Sequence, residues 1–240
     1  MTAPRGIRSS FTPAVLNPQT LIVRHLGQQD YELAWRAMRT FTDARDSDTT
    51  DEVWLVEHPP VYTMGLKGRD GATRAIEGIS IVYTDRGGDM TYHGPGQIVL
   101  YPLLDLRRLG LGIKALVNTL EQTVIDYLDE HGILAQRRPG APGVYVGERK
   151  IAALGLRVRN GCCYHGLSLN VAMDLKPFSH IDPCGYEGLE MVQLAELHLA
   201  VTPAAAGAAL AARLACLLGY NAPVTLPPIE LTTLAAQDHE

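Results

Sequence analysis

The sequence predicts an α+β domain with a mainly antiparallel or mixed sheet and helices packed against it. Three observations predict it. Apolar runs of strand length recur along the chain, bounded by Gly, Pro and Asn turns. Between residues 143 and 171 three such runs follow one another through tight turns, the pattern of antiparallel hairpins. The stretches with helical character are few and grouped around the strands rather than alternating with them one by one.

Residues 1–19 read as a disordered leader, because they hold arginines and prolines but neither a periodic pattern nor the apolar core of a secretory signal. A single catalytic domain is expected from 20 to 220. It starts with the strand "TLIVRHL" and continues into the helix "DYELAWRAMRTFTDAR", with Asp30 placed to cap it. "DEVWLVEHPPVYTMG" reads as a buried strand, a Pro-Pro corner and a second short strand. "ISIVYTDRGGD" is a strand ending in a glycine turn, and "GQIVLYPLLDL" is another apolar strand. Leu116, Val117, Leu120, Val124, Tyr127, Leu128 and His131 recur at helical spacing, with Gly132 as the residue after the helix. "GVYVGE", "RKIAALGLRVRN" and "CYHGLSLNV" are the hairpin strands, and the alanine-rich "TPAAAGAALAARLACLLGY" is a second long helix. The last stretch, 221–240, is Pro-rich and then polar, and is expected to be a loosely packed C-terminal tail.

With 46% hydrophobic and 20% charged residues over 240 positions, the chain has the composition of a soluble globular protein with one sizeable core. No uncharged apolar run is long enough to span a bilayer, so no membrane partner is expected. A net charge of −5 and a pI near 5.9 argue against nucleic-acid binding. Positive charge is nonetheless clustered in Arg137, Arg138, Arg149, Lys150, Arg157 and Arg159, which reads as a landing site for acidic protein partners. Four cysteines are too few for a disulfide framework, which places the protein in a reducing, cytoplasmic setting.

Four stretches carry chemistry. "RGGDMTYHGPGQ", from Arg86 to Gln97, packs glycines, an arginine and a histidine into one loop that can bring backbone amides close to a ligand. It lacks the Gly-Lys-Ser/Thr of a phosphate-binding loop and is not a dinucleotide fingerprint. In "GERKIAALGLRVRNG", Lys150 opens a strand of small and apolar residues, a setting in which a lysine acts as a base. "HGLSLNV" opens on His165, and its "CCYH" spacing fits no common zinc site, so no metal is expected. In "HIDPCGYEG", Cys184 sits between a proline that fixes the backbone and a glycine that frees it, in a turn rather than an apolar run. A nucleophilic thiol needs a base or a cation beside it, and His93, His165, His180 and Lys150 are all available.

Taken together and in this order, "RGGDMTYHGPGQ", "RKIAALGLRVRNG", "YHGLSLNV" and "DPCGYEG" resemble the lipoyl(octanoyl) transferases, the octanoyl-[acyl-carrier-protein]:protein N-octanoyltransferases, over roughly Thr20 to Tyr220. The resemblance implies the fold of the biotin and lipoate protein ligases and of the class II aminoacyl-tRNA synthetases. It implies transfer of an octanoyl group from octanoyl-acyl carrier protein to a lysine of lipoyl domains, those of 2-oxoacid dehydrogenase E2 subunits and of glycine cleavage H protein, without a cofactor. Cys184 would carry the acyl group as a thioester and Lys150 would be the base that activates it. Arg86, Gly87, Gly88, Asp89, Met90, Thr91, Tyr92, His93, Ala153, Leu154, Gly155, Gly166, Leu167 and Ser168 would line the acyl-chain site. The rival on the same fold is an ATP-dependent lipoate or biotin protein ligase, which would need an adenylate site and no catalytic cysteine. Another rival is a non-catalytic carrier-binding module, in which Cys184 would be structural.

Overall fold

A computed structural model describes residues 20–68, 74–181 and 188–238. Asp30 caps the first helix, its carboxylate accepting from the Leu33 amide at 2.9 Å. Thr202 does the same for a later helix through the Ala205 amide at 3.2 Å, with Pro203 as its first residue.

Eight strands form one mixed sheet. In spatial order they are β12 (Val224–Leu226), β1 (Leu21–Gln28), β2 (Asp51–Glu57), β7 (Gln97–Asp105), β11 (Cys162–Asn170), β10 (Arg149–Arg159), β9 (Ala141–Val146) and β8 (Gln136–Arg138). β1 runs parallel to both β12 and β2, and every other pairing in this sheet is antiparallel. A small sheet of β3 (Val61–Met64), β4 (Ala75–Ile76), β5 (Ile79–Tyr83) and β6 (Met90–His93) stands beside it.

Side-chain alternation decides which helix covers which face of the large sheet. Val53, Leu55, Ile98, Leu100, Leu167 and Leu169 point one way, into the helices α2 (Ile113–Asp129) and α3 (Pro203–Leu217). Their neighbours Trp54, Val56, Val99, Tyr101 and Leu103 point the other way, against α1 (Tyr31–Asp43) and Leu231 of the short helix α4 (Leu231–Ala235). The central strands are covered on both faces, which is why they read as unbroken apolar runs. The small sheet has its own core, where Tyr62, Met64, Ile81 and Tyr92 meet Met173 and Phe178.

Two expectations change. The α2 stripe is buried at Leu116, Leu120, Val124, Tyr127 and Leu128, but the helix ends at Asp129. His131 lies beyond it, exposed, with its ring edge-on to Tyr127 at 4.9 Å, while Gly132 takes φ +72° as the chain turns away. Between 224 and 231 the stretch after 220 is packed against the domain rather than loose. Val224–Leu226 pairs with β1, the Pro227 carbonyl accepts from Arg24 at 2.8 Å, and Leu231 is buried against α1.

Candidate active site

The strand register brings two of the singled-out stretches side by side. Ala153 faces Ser168 across β10 and β11, Ser168 faces Val99 on β7, and Gly155 lies directly opposite Gly166. The loop leading into β6 lies over these positions. Arg86, Gly88, Asp89, Met90, Thr91 and His93 close a cavity with Ala153, Leu154, Gly155, Gly166, Leu167 and Ser168. Gly87 is on the other side of the same wall, lining a surface groove and bonded through its amide to the Leu156 carbonyl at 2.9 Å. Tyr92 is also outside the cavity; it alternates with His93 and packs with Tyr62 and Phe178 in the small-sheet core.

Arg86 holds the loop in shape. Its buried guanidinium donates to the Thr63 carbonyl at 2.7 Å and hydroxyl at 2.9 Å, to the Asp89 carbonyl at 2.7 Å and to the Gly87 carbonyl at 3.1 Å. Close approach explains Gly65 beneath it: a Cβ there would lie 2.4 Å from the Gly88 carbonyl oxygen.

Sequence reasoning missed Tyr31, Val99, Tyr101 and His165 as cavity-lining residues, and Asp85 behind them. His165 takes φ +59° within β11, a strained left-handed conformation for a non-glycine residue. It donates from Nε2 to Asp85 at 2.9 Å, while Nδ1 faces the Tyr31 hydroxyl at 3.5 Å. Burial pushes the His165 pKa down despite Asp85, so at neutral pH this is a hydrogen bond from a neutral ring rather than an ion pair. Burial also works to raise Asp85, but hydrogen bonds from His165, Tyr164 and Trp35 outweigh it and hold the carboxyl well below its usual range.

Two more histidines are neutral with fixed tautomers. His58 donates from Nδ1 to the Gln29 carbonyl and accepts from the Tyr101 hydroxyl at Nε2, both at 2.7 Å. The tautomer of His93 follows from a chain anchored on a backbone carbonyl. Asn170 donates to the Val192 carbonyl at 3.1 Å, Gln97 donates to Asn170 Oδ1 at 3.0 Å, and so Gln97 Oε1 must accept from His93 Nδ1 at 2.7 Å. Burial lowers the pKa of His58 to about 4 and of His93 to about 3. Burial raises Tyr31 to about 12 and lifts Tyr101 well above the ordinary phenol value.

Lys150 is fully buried at the start of β10, where the pairing with β9 shifts register between Lys150 and Ala152. Such a bulge re-aims a side chain. Its Nζ donates to the Pro142 carbonyl at 3.1 Å and lies 5.2 Å from the Tyr145 ring centroid. Its backbone is stitched to the chain that follows the cysteine turn: the Lys150 amide donates to the Glu190 carbonyl at 2.9 Å, and the Val192 amide to the Lys150 carbonyl at 3.0 Å. Cys184 and its turn lie outside the described residues. Of the other bases considered, His180 is exposed.

The clustered basic residues are not a patch of open positive charge. Arg137 pairs with Glu121, Arg138 with Glu148 at 2.5 Å, Arg149 with Glu196 at 2.9 Å and Arg159 with Asp43 at 2.9 Å. Arg157 lies 4.0 Å from Asp85, and Lys150 is in the interior.

Comparison with known proteins places these features in context. Residues 30–215 match the family model described as the lipoyl protein ligase A/B catalytic domain. An octanoyltransferase of Nitrosococcus oceani is 56% identical over 204 residues, spanning 85% of this chain and 91% of that protein. One from a Shewanella species, strain MR-7, is 55% identical over 202 residues, spanning 84% and 93%. Among solved structures, the bipartite lipoate protein ligase of Thermoplasma acidophilum superposes with a TM-score of 0.73 over 91% of both chains. At 15% sequence identity, that likeness is one of fold.

Proposed function

Since the chain belongs to the octanoyltransferases, within the lipoyl protein ligase A/B catalytic-domain family, we propose that this acyltransferase moves an octanoyl group from octanoyl-acyl carrier protein to a lysine of a lipoyl domain, through a thioester on Cys184. The observation that carries the reading is the placement of Lys150. It is buried at one end of the strand that lines the cavity, and its backbone is bonded on both sides to the segment that follows Pro183-Cys184-Gly185.

The Cys184 thiolate attacks the thioester carbonyl, the carbon–sulfur bond to the carrier's pantetheine breaks, and the leaving thiolate takes a proton from the Lys150 ammonium. The acceptor lysine, having lost one proton to solvent, attacks the acyl-Cys184 carbonyl. Neutral Lys150 takes the amine's second proton as the amide forms and the Cys184 thiolate departs. The exchange of one thioester for another is nearly balanced and amide formation runs downhill, so ATP is not consumed. The cavity between the Arg86–His93 loop and the Ala153–Gly155 and Gly166–Ser168 strands would hold the acyl chain. The acceptors would be lipoyl domains of 2-oxoacid dehydrogenase E2 subunits and glycine cleavage H protein, and the setting the cytoplasm. Among the described residues, no helix is long and apolar enough to cross a membrane.

The test is intact-protein mass after mixing with octanoyl-acyl carrier protein in the absence of ATP, beside the Cys184→Ser variant. One octanoyl adduct, removed by hydroxylamine and missing from the variant, is expected, and a lipoyl domain should then discharge it. An equal adduct on the variant, or turnover that requires ATP, would refute the reading.

A further inference from the structure

Gly143 does more than turn the chain. At φ +137° it passes so close to Lys150 that a Cβ there would lie 2.9 Å from the lysine Cε and 3.2 Å from Nζ. Ordinary carbon contacts are about 3.5–4.0 Å, so a side chain at 143 crowds the end of Lys150 by up to roughly 1 Å, and it also meets the Ala152 carbonyl oxygen at 2.7 Å. The segment around Gly143 is itself pinned. The Gly143 amide donates to Oε1 of Glu121 at 2.9 Å, and Glu121 is a buried carboxylate on α2. Oε2 of the same carboxylate accepts from Arg137 at 3.0 Å. One residue before Gly143, Pro142 supplies the carbonyl that accepts from Nζ, and the Tyr145 hydroxyl donates to the Ala141 carbonyl at 3.2 Å.

We propose that Glu121 and Gly143 are positioning residues for the Lys150 ammonium: the carboxylate fixes the Ala141–Gly143 backbone, which in turn leaves the ammonium one place to sit, against the Pro142 carbonyl and the Tyr145 ring. A buried carboxylate 29 residues before the lysine in sequence thus acts on it through backbone. The inference rests on the proposed role of Lys150 in proton transfer. A carboxylate is suited to the task because it accepts from the Gly143 amide and the arginine at once, with one oxygen for each.

The experiment uses the full chain and the variants Gly143→Ala, Glu121→Leu, Glu121→Gln and Lys150→Met, each first checked for folding by circular dichroism. Two quantities are measured: kcat and KM with octanoyl-acyl carrier protein, and the pH dependence of Cys184 alkylation by iodoacetamide, read at that peptide by mass spectrometry. Gly143→Ala and Glu121→Leu should lower kcat by about tenfold to a hundredfold with KM within about twofold, the scale of a roughly 1 Å misplacement of a reacting group. Both should move the alkylation midpoint upward toward that of a free thiol near ~8.5. Glu121→Gln, whose amide oxygen still accepts from Gly143 but whose amino group cannot accept from Arg137, should fall between the parent chain and Glu121→Leu. If Lys150→Met moves the alkylation profile while folded Gly143→Ala and Glu121→Leu do not, the positioning role is overturned and that of Lys150 stands. If Lys150→Met itself leaves the profile unchanged, the proposed role of Lys150 falls and the inference falls with it.

Discussion

Acidification from pH 7 to pH 5 should destabilise this protein steeply, through His58 and His93. Both have folded-state pKa values below the ordinary 6.5, about 4 and about 3, because burial penalises the charged ring. The neutral form is therefore favoured in the folded state, and the unfolded chain binds more protons below pH 6.5. Stability is fully present above that pH and is lost as pH falls toward the folded values. Each extra proton taken up on unfolding changes stability by about 1.4 kcal/mol per pH unit. As pH falls from 7 to 5 the unfolded chain goes from about a quarter protonated to almost fully protonated at each histidine while the folded chain stays almost unprotonated, and summing that excess over the interval gives about 2 kcal/mol each and about 3–4 kcal/mol together. His165, also lowered by burial, acts in the same direction. Asp85 does not offset this, because a carboxyl held below its usual range loses its stabilising contribution only at more acidic pH. Domains have total stabilities of about 5–15 kcal/mol, so the loss is a large share. Urea unfolding followed by fluorescence of Trp35 and Trp54 at both pH values measures it. A loss under about 1 kcal/mol with an unchanged denaturant slope would show that the histidines are not held neutral as this geometry requires. His58→Gln, neutral throughout, should remove about half of the pH dependence that His58 and His93 carry together.

Two further outcomes test the packing. Asp51 is buried and accepts from Arg45, from Arg108 at 2.7 Å, from the Asp105 amide at 2.8 Å and from the Tyr220 hydroxyl; Asp51→Ala leaves two arginines without their carboxylate and should cost about 3–5 kcal/mol, seen as a fall in Tm of about 10 °C. Gly166→Ala would place a Cβ 2.0 Å from the Leu100 carbonyl oxygen and 2.6 Å from Pro102 Cδ, and the backbone shift should lower stability by about 2 kcal/mol in the same urea assay; an unchanged midpoint would mean that the two strands part freely.

What could be read in advance followed from local pattern. The stripe Leu116, Leu120, Val124 and Leu128 and the strand runs around Val53 and Leu100 carry their burial in their spacing. The glycine-rich loop and the two glycine-bearing strands could be singled out by pattern, while their sharing one site was implied by the family resemblance alone. Which member of each stretch faces inward could not, because neighbours in extended chain point to opposite sides: Gly88 lines the cavity and Gly87 the groove, His93 the cavity and Tyr92 the small core. The bulge that re-aims Lys150 and the left-handed turn at His165 interrupt strands whose sequences look regular. Tyr31 joins the site from an element far from it in sequence, Asp85 bonds His165 from 80 residues away, and Arg137 and Arg159 find their acidic partners on other elements. No window of neighbouring residues holds that information.

The two ends of the large sheet bear on how the molecule behaves in a crowd. An exposed strand edge is a template for pairing with another chain, and long apolar edges promote self-association. This sheet tapers to three residues on either side. β8 ends it with Arg137 and Arg138, and β12 is followed by Pro227 and Pro228, which have no amide hydrogen to offer. Behind β12 lies β1, eight residues long and rich in Leu, Ile and Val. The final stretch of chain therefore works as a guard strip: while it is in place the longest apolar strand near that border has a partner on each side, and trimming it away would turn β1 into an adhesive seam.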